Sequence, residues 1–474
     1  MSSFAMDAGL PGRGPCGRTG APRPRRLALA ALACFAVRLG AAVLAIRSGS
    51  FLQHDGQDYL ELARNLGSFR GYLVERVRWF EPPREVPASD FSRPPLVPLA
   101  LGAIFAVLPD SIFVAAAFQA AVGTLVCLAC AAAARAFWGD RAYWPALVLS
   151  GAYPVFVYYS AHLSTEAMMS LLLAADFAAL KWLAEGASNS RREALLRAAG
   201  CGALLGLSAL CRPTMLVGFA FVPLWALVFL NCPIARRACV SSVMLLAAGA
   251  IVAPWTARIA LASGEFVPIT NVGGYVFWLG NNEDALRAYA SSSYAEFLER
   301  EAHAFGAEGS RLVAEMARRG IESPADQQRF WFEEGLAFVR GNPGGYLFLL
   351  CMRLGHFFRP WPNPAAYGAL AAVALAAMWC VLYAAAAAGL ARLWRLDRAA
   401  AAAVVAVVMS GAAAHALTLV MLRHRSPFVD TAALVLAAPV LVEWAGRLAG
   451  RIRGPALERA RPPEPLSARA RIAP

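Results

Sequence analysis

The sequence predicts an all-α fold, a polytopic transmembrane helical bundle of about 10–12 membrane helices with helical loops outside the membrane. Three observations carry that expectation. Of 474 residues, 59% are hydrophobic and 16% charged, whereas a soluble chain carries roughly 25% charged residues. Mean hydropathy is +0.51. Apolar runs of about 20 residues, long enough to span a hydrocarbon core, recur along the chain.

The formal charge of +13 comes from arginines that mostly flank these runs. There they set topology and touch anionic headgroups, which argues for membrane lipids and against nucleic acid as partners. The cysteines mostly lie inside apolar runs, and Cys127-x-x-Cys130 falls within one of them. Its cysteines read as small core residues, not as a metal or redox pair.

Residues 1–26 are rich in Gly, Pro and Arg and read as a disordered basic tail. Residues 27–46 form the first crossing, too long for the apolar core of a signal peptide. Arg38 inside it faces a high desolvation penalty, so a structural and a functional role are both open. A polar loop, 47–94, follows. Residues 95–108 make a 14-residue apolar helix, too short to cross. Crossings are then expected at 112–137, 143–160, 165–183, 196–210, 214–230 and 240–261, and together with 27–46 they make an N-terminal module, 27–261. Residues 262–345 are polar, with amphipathic surface helices expected at 283–303, 310–320 and 325–340. The C-terminal part, 346–446, holds an interfacial helix at 346–358 and crossings at 365–391, 399–421 and 428–444, before a basic tail, 447–474.

Ten crossings put both termini on one side. The basic turns at 135–141, 191–197, 236–237 and 392–398 then share that side, which the positive-inside rule makes cytoplasmic. The loop 47–94, the turn 160–166, the Arg212-Pro213 junction, the region 262–345 and Arg423-His424-Arg425 fall on the opposite, extracytoplasmic face. Asp55, Asp58, Glu166 and several arginines thus meet at one face of a membrane. A carboxylate beside arginines suits chemistry on a lipid phosphate: the acid takes a proton from a hydroxyl and the guanidinium groups neutralise phosphate.

The motifs Asp55-x-x-x-Tyr59-x-x-x-Ala63, Ser92-Arg93-Pro94-Pro95-Leu96-x-Pro98-Leu99, Leu163-Ser164-Thr165-Glu166, Leu210-Cys211-Arg212-Pro213-Thr214 and Arg423-His424-Arg425-Ser426-Pro427 occur in that order. Together they resemble the C-class membrane glycosyltransferases related to protein O-mannosyltransferases and bacterial aminoarabinose transferases. The resemblance implies a bacterial inner-membrane enzyme that takes a sugar from a polyprenyl-phosphate carrier and passes it, usually with inversion, to a lipid, glycan or protein acceptor. By position it makes Asp55 the general base and Glu166 a supporting acid. Asp58 is demoted to a secondary role, with His162 and Tyr59 as neighbours, and Arg93, Arg212, Arg353, Arg423 and Arg425 become ligands of the carrier phosphate. Where such enzymes carry Asp-Glu or Asp-x-Asp, this chain has Asp55-Gly56-Gln57-Asp58. That leaves open whether Asp58 assists and whether a divalent cation is bound.

Plainer readings stand beside each of these. Asp55 is well spaced to cap a helix over 59–66. Glu166 suits a helix N-terminus, and the arginines suit headgroup anchoring. At the level of the whole chain, a transporter or flippase would place charges near the membrane midplane, and the runs between 112 and 261 hold few. A lipid-linked glycan polymerase or ligase would not specifically need the Asp55–Tyr59 loop followed by Arg93-Pro94-Pro95. A non-enzymatic assembly partner in envelope synthesis is a further alternative, since a degenerate member keeps the fold and loses the acid.

Overall fold

The computed structural model describes residues 24–53, 55–78, 80–81, 85–290, 301–362 and 368–459. Most of the two basic tails, 1–23 and 460–474, lies outside that set. In chain order, α1 (Pro24–Arg47) is followed by α2 (Gly56–Gly67), the short strands β1 (Leu73–Val74) and β2 (Ala88–Ser89), and α3 (Leu96–Phe105). Next come α4 (Ile112–Trp138), α5 (Tyr143–Ala152), α6 (Pro154–Ser160), α7 (Glu166–Gly186) and α8 (Arg191–Cys211). A 3-10 turn, Pro213–Val217, opens α9 (Gly218–Phe229), and α10 (Ile234–Ser263) ends the first half. The second long connection holds α11 (Gly273–Gly280), α12 (Glu283–Ala290), α13 (Glu301–Arg318), α14 (Pro324–Gly341) and α15 (Pro343–Phe358). The chain finishes with α16 (Ala369–Leu396), α17 (Arg398–Leu417) and α18 (Leu422–Arg459).

Among the described residues, eight helices are long and apolar enough to cross a membrane: α1, α4, α7, α8, α10, α16, α17 and the Leu422–Leu448 part of α18. The all-α polytopic expectation holds. Two of the ten expected crossings are not continuous α-helices. Residues 143–160 break at Tyr153, whose backbone is extended (ψ 113°) ahead of Pro154. Residues 214–230 begin as 3-10 helix and carry Pro223 inside α9. The last crossing also starts earlier than expected, at Leu422, and its helix runs on through 447–459.

The Tyr153 break explains Arg38. Pro154 has no N–H, so the Ser150 carbonyl lacks its helical donor. The Arg38 guanidinium, fully buried, donates to the carbonyls of Ser150 (3.3 Å) and Gly151 (3.4 Å), and to Cys127 Sγ at 2.9 Å. A charge that would be costly in hydrocarbon here replaces missing backbone bonds. Its role is to splice a broken helix.

Helix pairs approach closely where glycine allows it. A Cβ at Gly202 would collide with the Met244 carbonyl, and one at Gly206 would lie 2.7 Å from the Ala248 carbonyl, so α8 and α10 pack backbone to backbone. Gly67 and Gly102 do the same for α2 and α3, each 2.7 Å from a partner Cβ. The two short helices therefore form one tight unit, and α3 has only ten residues, about 15 Å of helix.

Above this unit β1 and β2 pair antiparallel, Leu73 with Ser89 and Val74 with Ala88. Arg258 of α10 holds the hairpin, donating to the carbonyls of Tyr72 (3.3 Å) and Asp90 (3.4 Å). Beyond the hairpin, Phe80 stacks on Tyr275 with centroids 4.6 Å apart. That contact joins the first loop to a core of Tyr275, Trp278, Leu312, Phe330 and Trp331 built by α11, α13 and α14. The two long connections thus form one cap over one end of the bundle.

Candidate active site

The site lies where the α2 N-terminus meets the bundle under this cap. Gly56 permits the approach: a Cβ there would sit 2.9 Å from the Leu163 carbonyl oxygen. Leu163 N–H in turn donates to the Phe51 carbonyl at 3.0 Å. The start of α2 is thereby fastened to the turn between α6 and α7.

Asp55 occupies the position before α2, yet its side chain makes no capping bond. Instead, Oδ1 pairs with Arg93 Nη2 at 3.0 Å and Oδ2 with Arg423 Nη1 at 3.4 Å. One arginine precedes α3 and the other begins α18, so chain ends far apart in sequence converge on one carboxylate. Beside it, Glu166 at the first position of α7 accepts from Arg212 Nη2 at 2.9 Å. Arg212 also donates from Nε to Thr165 Oγ1 at 3.1 Å, and its Nη1 lies 3.5 Å from the Arg423 carbonyl. Two acid–arginine pairs therefore stand side by side.

Asp58 is buried and, among the described residues, its carboxylate accepts from arginines: Arg93 Nε at 2.7 Å, Arg78 Nε at 3.1 Å, and Arg76. Arg78 continues to Asp90 Oδ1 at 3.1 Å, which also accepts from the Ser92 N–H and hydroxyl, each at 3.0 Å. Burial alone would raise the Asp90 carboxyl, but the Arg78 charge and the Ser92 N–H outweigh it and hold it below the usual carboxylate range. Tyr59 is buried next to Asp55, and burial followed by the Asp55 charge pushes its hydroxyl well up. Burial does the same to Tyr72, whose hydroxyl donates to the Arg93 carbonyl at 3.1 Å. Both phenols are proton-bearing donors at neutral pH.

The structure therefore gathers Asp55, Asp58, Tyr59, Arg93, Glu166, Arg212 and Arg423. It does not add three other candidates. His162 lies in the turn before α7, with Nδ1 2.8 Å from the Tyr158 carbonyl. Because α7 starts at Glu166, the two do not share a helix face. Arg353 is fully buried on α15, donating to Asn281 Oδ1 (3.1 Å) and to the carbonyls of Ala416 (3.0 Å) and Gly280. It ties the α11–α12 connection to the end of α17. Arg425 is buried over Trp379, 4.4 Å from the ring centre, and donates to the Arg359 carbonyl.

Arg76, Arg78 and Asp90 were not singled out from sequence. Arg76-Val77-Arg78 and Glu81 made up a charged stretch with no motif, and contacts across 12 to 20 residues gave it meaning. Among the described residues, no group of three or more His, Cys, Asp or Glu stands close enough to hold a metal ion. In this arrangement Asp55, Asp58 and Glu166 each face arginines.

No family model and no curated protein matches the sequence. Solved structures do match. The Archaeoglobus fulgidus oligosaccharyltransferase in complex with Zn and sulfate has a TM-score of 0.51 at 14% identity, covering 91% of this chain and 51% of its own. The same enzyme tethered to an acceptor peptide gives 0.52 at 14%, covering 90% and 51%. This chain thus spans about half the length of that protein. ArnT from Cupriavidus metallidurans bound to undecaprenyl phosphate gives 0.40 at 17%, covering 94% and 82%. Over about half the length of the Archaeoglobus fulgidus oligosaccharyltransferase, the chain shares the fold of that enzyme.

Proposed function

We propose that this protein is an inverting membrane glycosyltransferase that moves a sugar from a polyprenyl-phosphate carrier to a lipid, glycan or protein hydroxyl. In this reading it works on the extracytoplasmic face of a bacterial inner membrane, with both termini inside and Asp55 as general base. The observation that supports it best is Asp55 held between Arg93 and Arg423, with the Glu166–Arg212 pair adjacent.

The chemistry follows from that placement. The donor is a phosphodiester with one negative charge, and it competes with Asp55 for Arg93 and Arg423. Once those guanidinium groups turn to the phosphate, Asp55 is uncovered to accept the proton of the incoming hydroxyl. The hydroxyl oxygen bonds to the anomeric carbon as the bond from that carbon to the phosphate oxygen breaks. The electron pair goes to the phosphate, whose charge grows from one to two. Arg93 and Arg423, with Arg212 beside them, stabilise that growth in a partly desolvated site. Glu166 keeps Arg212 in position, and the cap of α11–α14 helps select the acceptor.

A strain lacking the gene should accumulate a polyprenyl-phosphate sugar, seen by mass spectrometry of its lipids. Wild-type protein should clear the accumulation and Asp55→Asn, inserted at equal level, should not. Clearance by Asp55→Asn would remove that residue from the base role, and absence of any accumulating sugar lipid would remove the donor class. For the orientation, a cysteine placed at the exposed Ser68 of the first loop should be labelled from outside and one at the exposed Ser190 from inside.

A further inference from the structure

Asp58 is not available as a second base, because its oxygens accept from Arg76, Arg78 and Arg93. It belongs to a chain of alternating charge: Asp90, Arg78, Asp58, Arg93, Asp55, Arg423. The inner members are the most enclosed, with Asp58, Arg78 and Asp90 all buried and Asp55, Arg93 and Arg423 half-buried at the open end. Arg93 is the hinge of this chain. Its Nε bonds Asp58 at 2.7 Å and its Nη2 bonds Asp55 at 3.0 Å, so the two carboxylates hold different parts of one planar group. Ser92, the residue before it, is fixed by Asp90 through both its N–H and its hydroxyl.

We propose that Asp58, Arg78 and Asp90 are positioning residues: they pin Arg93 through its Nε and so set how much of its charge falls on Asp55. Three residues that reach Asp55 through Arg93 thereby govern its readiness to take a proton. Among the described residues, other charged and titratable groups stand around Asp55 and are unchanged by the substitutions at Asp58, Arg78 and Asp90. They are Arg423 of α18, Tyr59 of α2, the Glu166–Arg212 pair of α7 and α8, and the stacked imidazoles of His415 and His424, 4.5 Å apart beside Arg423. On the hairpin side they are Arg76 with Glu61, and Glu81 on Arg78.

The inference rests on the proposed role of Asp55, but its test needs neither donor nor acceptor. Infrared pH titration of purified protein reads the carboxyl band of Asp55, isolated by subtracting the same protein carrying Asp55→Asn. Asp58→Asn leaves Arg76, Arg78 and the whole of Arg93 acting on Asp55, and its titration midpoint should fall by about one pH unit relative to wild type. Arg78→Gln releases Asp58 to draw Arg93 away, and the midpoint should rise by about half a unit. Arg78→Lys keeps the charge and should stay near wild type. If Asp58→Asn does not fold, Asp90→Asn serves the same arm: Arg78 then leans on Asp58 alone, and the midpoint should fall. Opposite shifts support the relay. Equal midpoints, or shifts of one sign in all variants, would show that the cluster only holds the loop together.

Discussion

Gly56→Ala tests whether the closeness of α2 to the α6–α7 turn sets the site. The new methyl carbon would lie 2.9 Å from the Leu163 carbonyl oxygen and 3.5 Å from that of Phe51. Ordinary contact requires α2 to retreat by about 0.5 Å. Both oxygens are backbone atoms, and Leu163 is fastened to Phe51 by a 3.0 Å bond, so the turn cannot easily give. Asp55 is the neighbouring residue and moves with it, away from Arg423 on the fixed bundle. Misplacement by 1 Å in an active site costs up to about 100-fold in rate, so half that distance should cost about tenfold, or about 1.4 kcal/mol of barrier. Overpacking should destabilise by about 1–3 kcal/mol, partly offset by the better helix propensity of alanine. Clearance of the accumulated sugar lipid measures the first effect, and thermal unfolding in detergent measures the second. Gly40→Ala on α1, which meets nothing within 4 Å, is the control and should be silent in both. A Gly56→Ala protein with wild-type clearance and wild-type unfolding would refute the account of how Asp55 is positioned.

Other residues give shorter tests. Arg38→Met should lower detergent stability by about 2–4 kcal/mol, because the Ser150 and Gly151 carbonyls lose their buried donor; an unchanged melting temperature would show that water replaces it. Arg93→Lys keeps one charge but cannot span two carboxylates, so transfer should fall about 10- to 100-fold, and near-normal transfer would deny the bridging role. The Asp90 carboxyl is held below its unfolded value, so the stability it contributes is complete above about pH 3.9 and lost as pH falls through the lower folded value. Melting temperature should therefore drop on acidification below pH ~4, less steeply in Asp90→Asn. Asp55→Asn, though inactive, should bind polyprenyl phosphate about fivefold more tightly than wild type, since the carboxylate no longer competes for Arg93 and Arg423. Weaker binding in calorimetry would place the phosphate elsewhere.

The bundle was legible because membrane helices write themselves as long apolar runs, and hydrocarbon forces their backbone bonds to close internally. The places where the reading slipped are those where a different donor completes the backbone. Residues 143–160 look continuous in hydropathy, yet Pro154 interrupts them and Arg38, 112 residues away from Ser150 in sequence, supplies the bond. Arg38 looked anomalous alone, and Pro154 drew no attention. They explain one another, and hydropathy, which averages over a window, registers neither.

The site was legible in its outer members and opaque within. Asp55, Arg93, Glu166, Arg212 and Arg423 lie at helix ends in short motifs, so position alone draws attention to them. The reading of Asp55 as a helix cap was also locally reasonable, and the structure replaces it because two arginines outcompete a capping N–H for the carboxylate. Arg353 on the interfacial helix and Arg425 at the start of the last crossing were candidates too, but side-chain direction, which sequence spacing near an irregular connection does not reveal, turns both into the protein. Asp58 shows the converse. Its neighbours Arg76, Arg78 and Asp90 are contributed by a hairpin whose register depends on only two residue pairs, too short a pattern to predict. A buried carboxylate surrounded by three arginines is stable only if all arrive together. The fold of the first loop and the electrostatics of the proposed base are therefore one problem: the charges that shape the loop are those that hold Arg93 against Asp55.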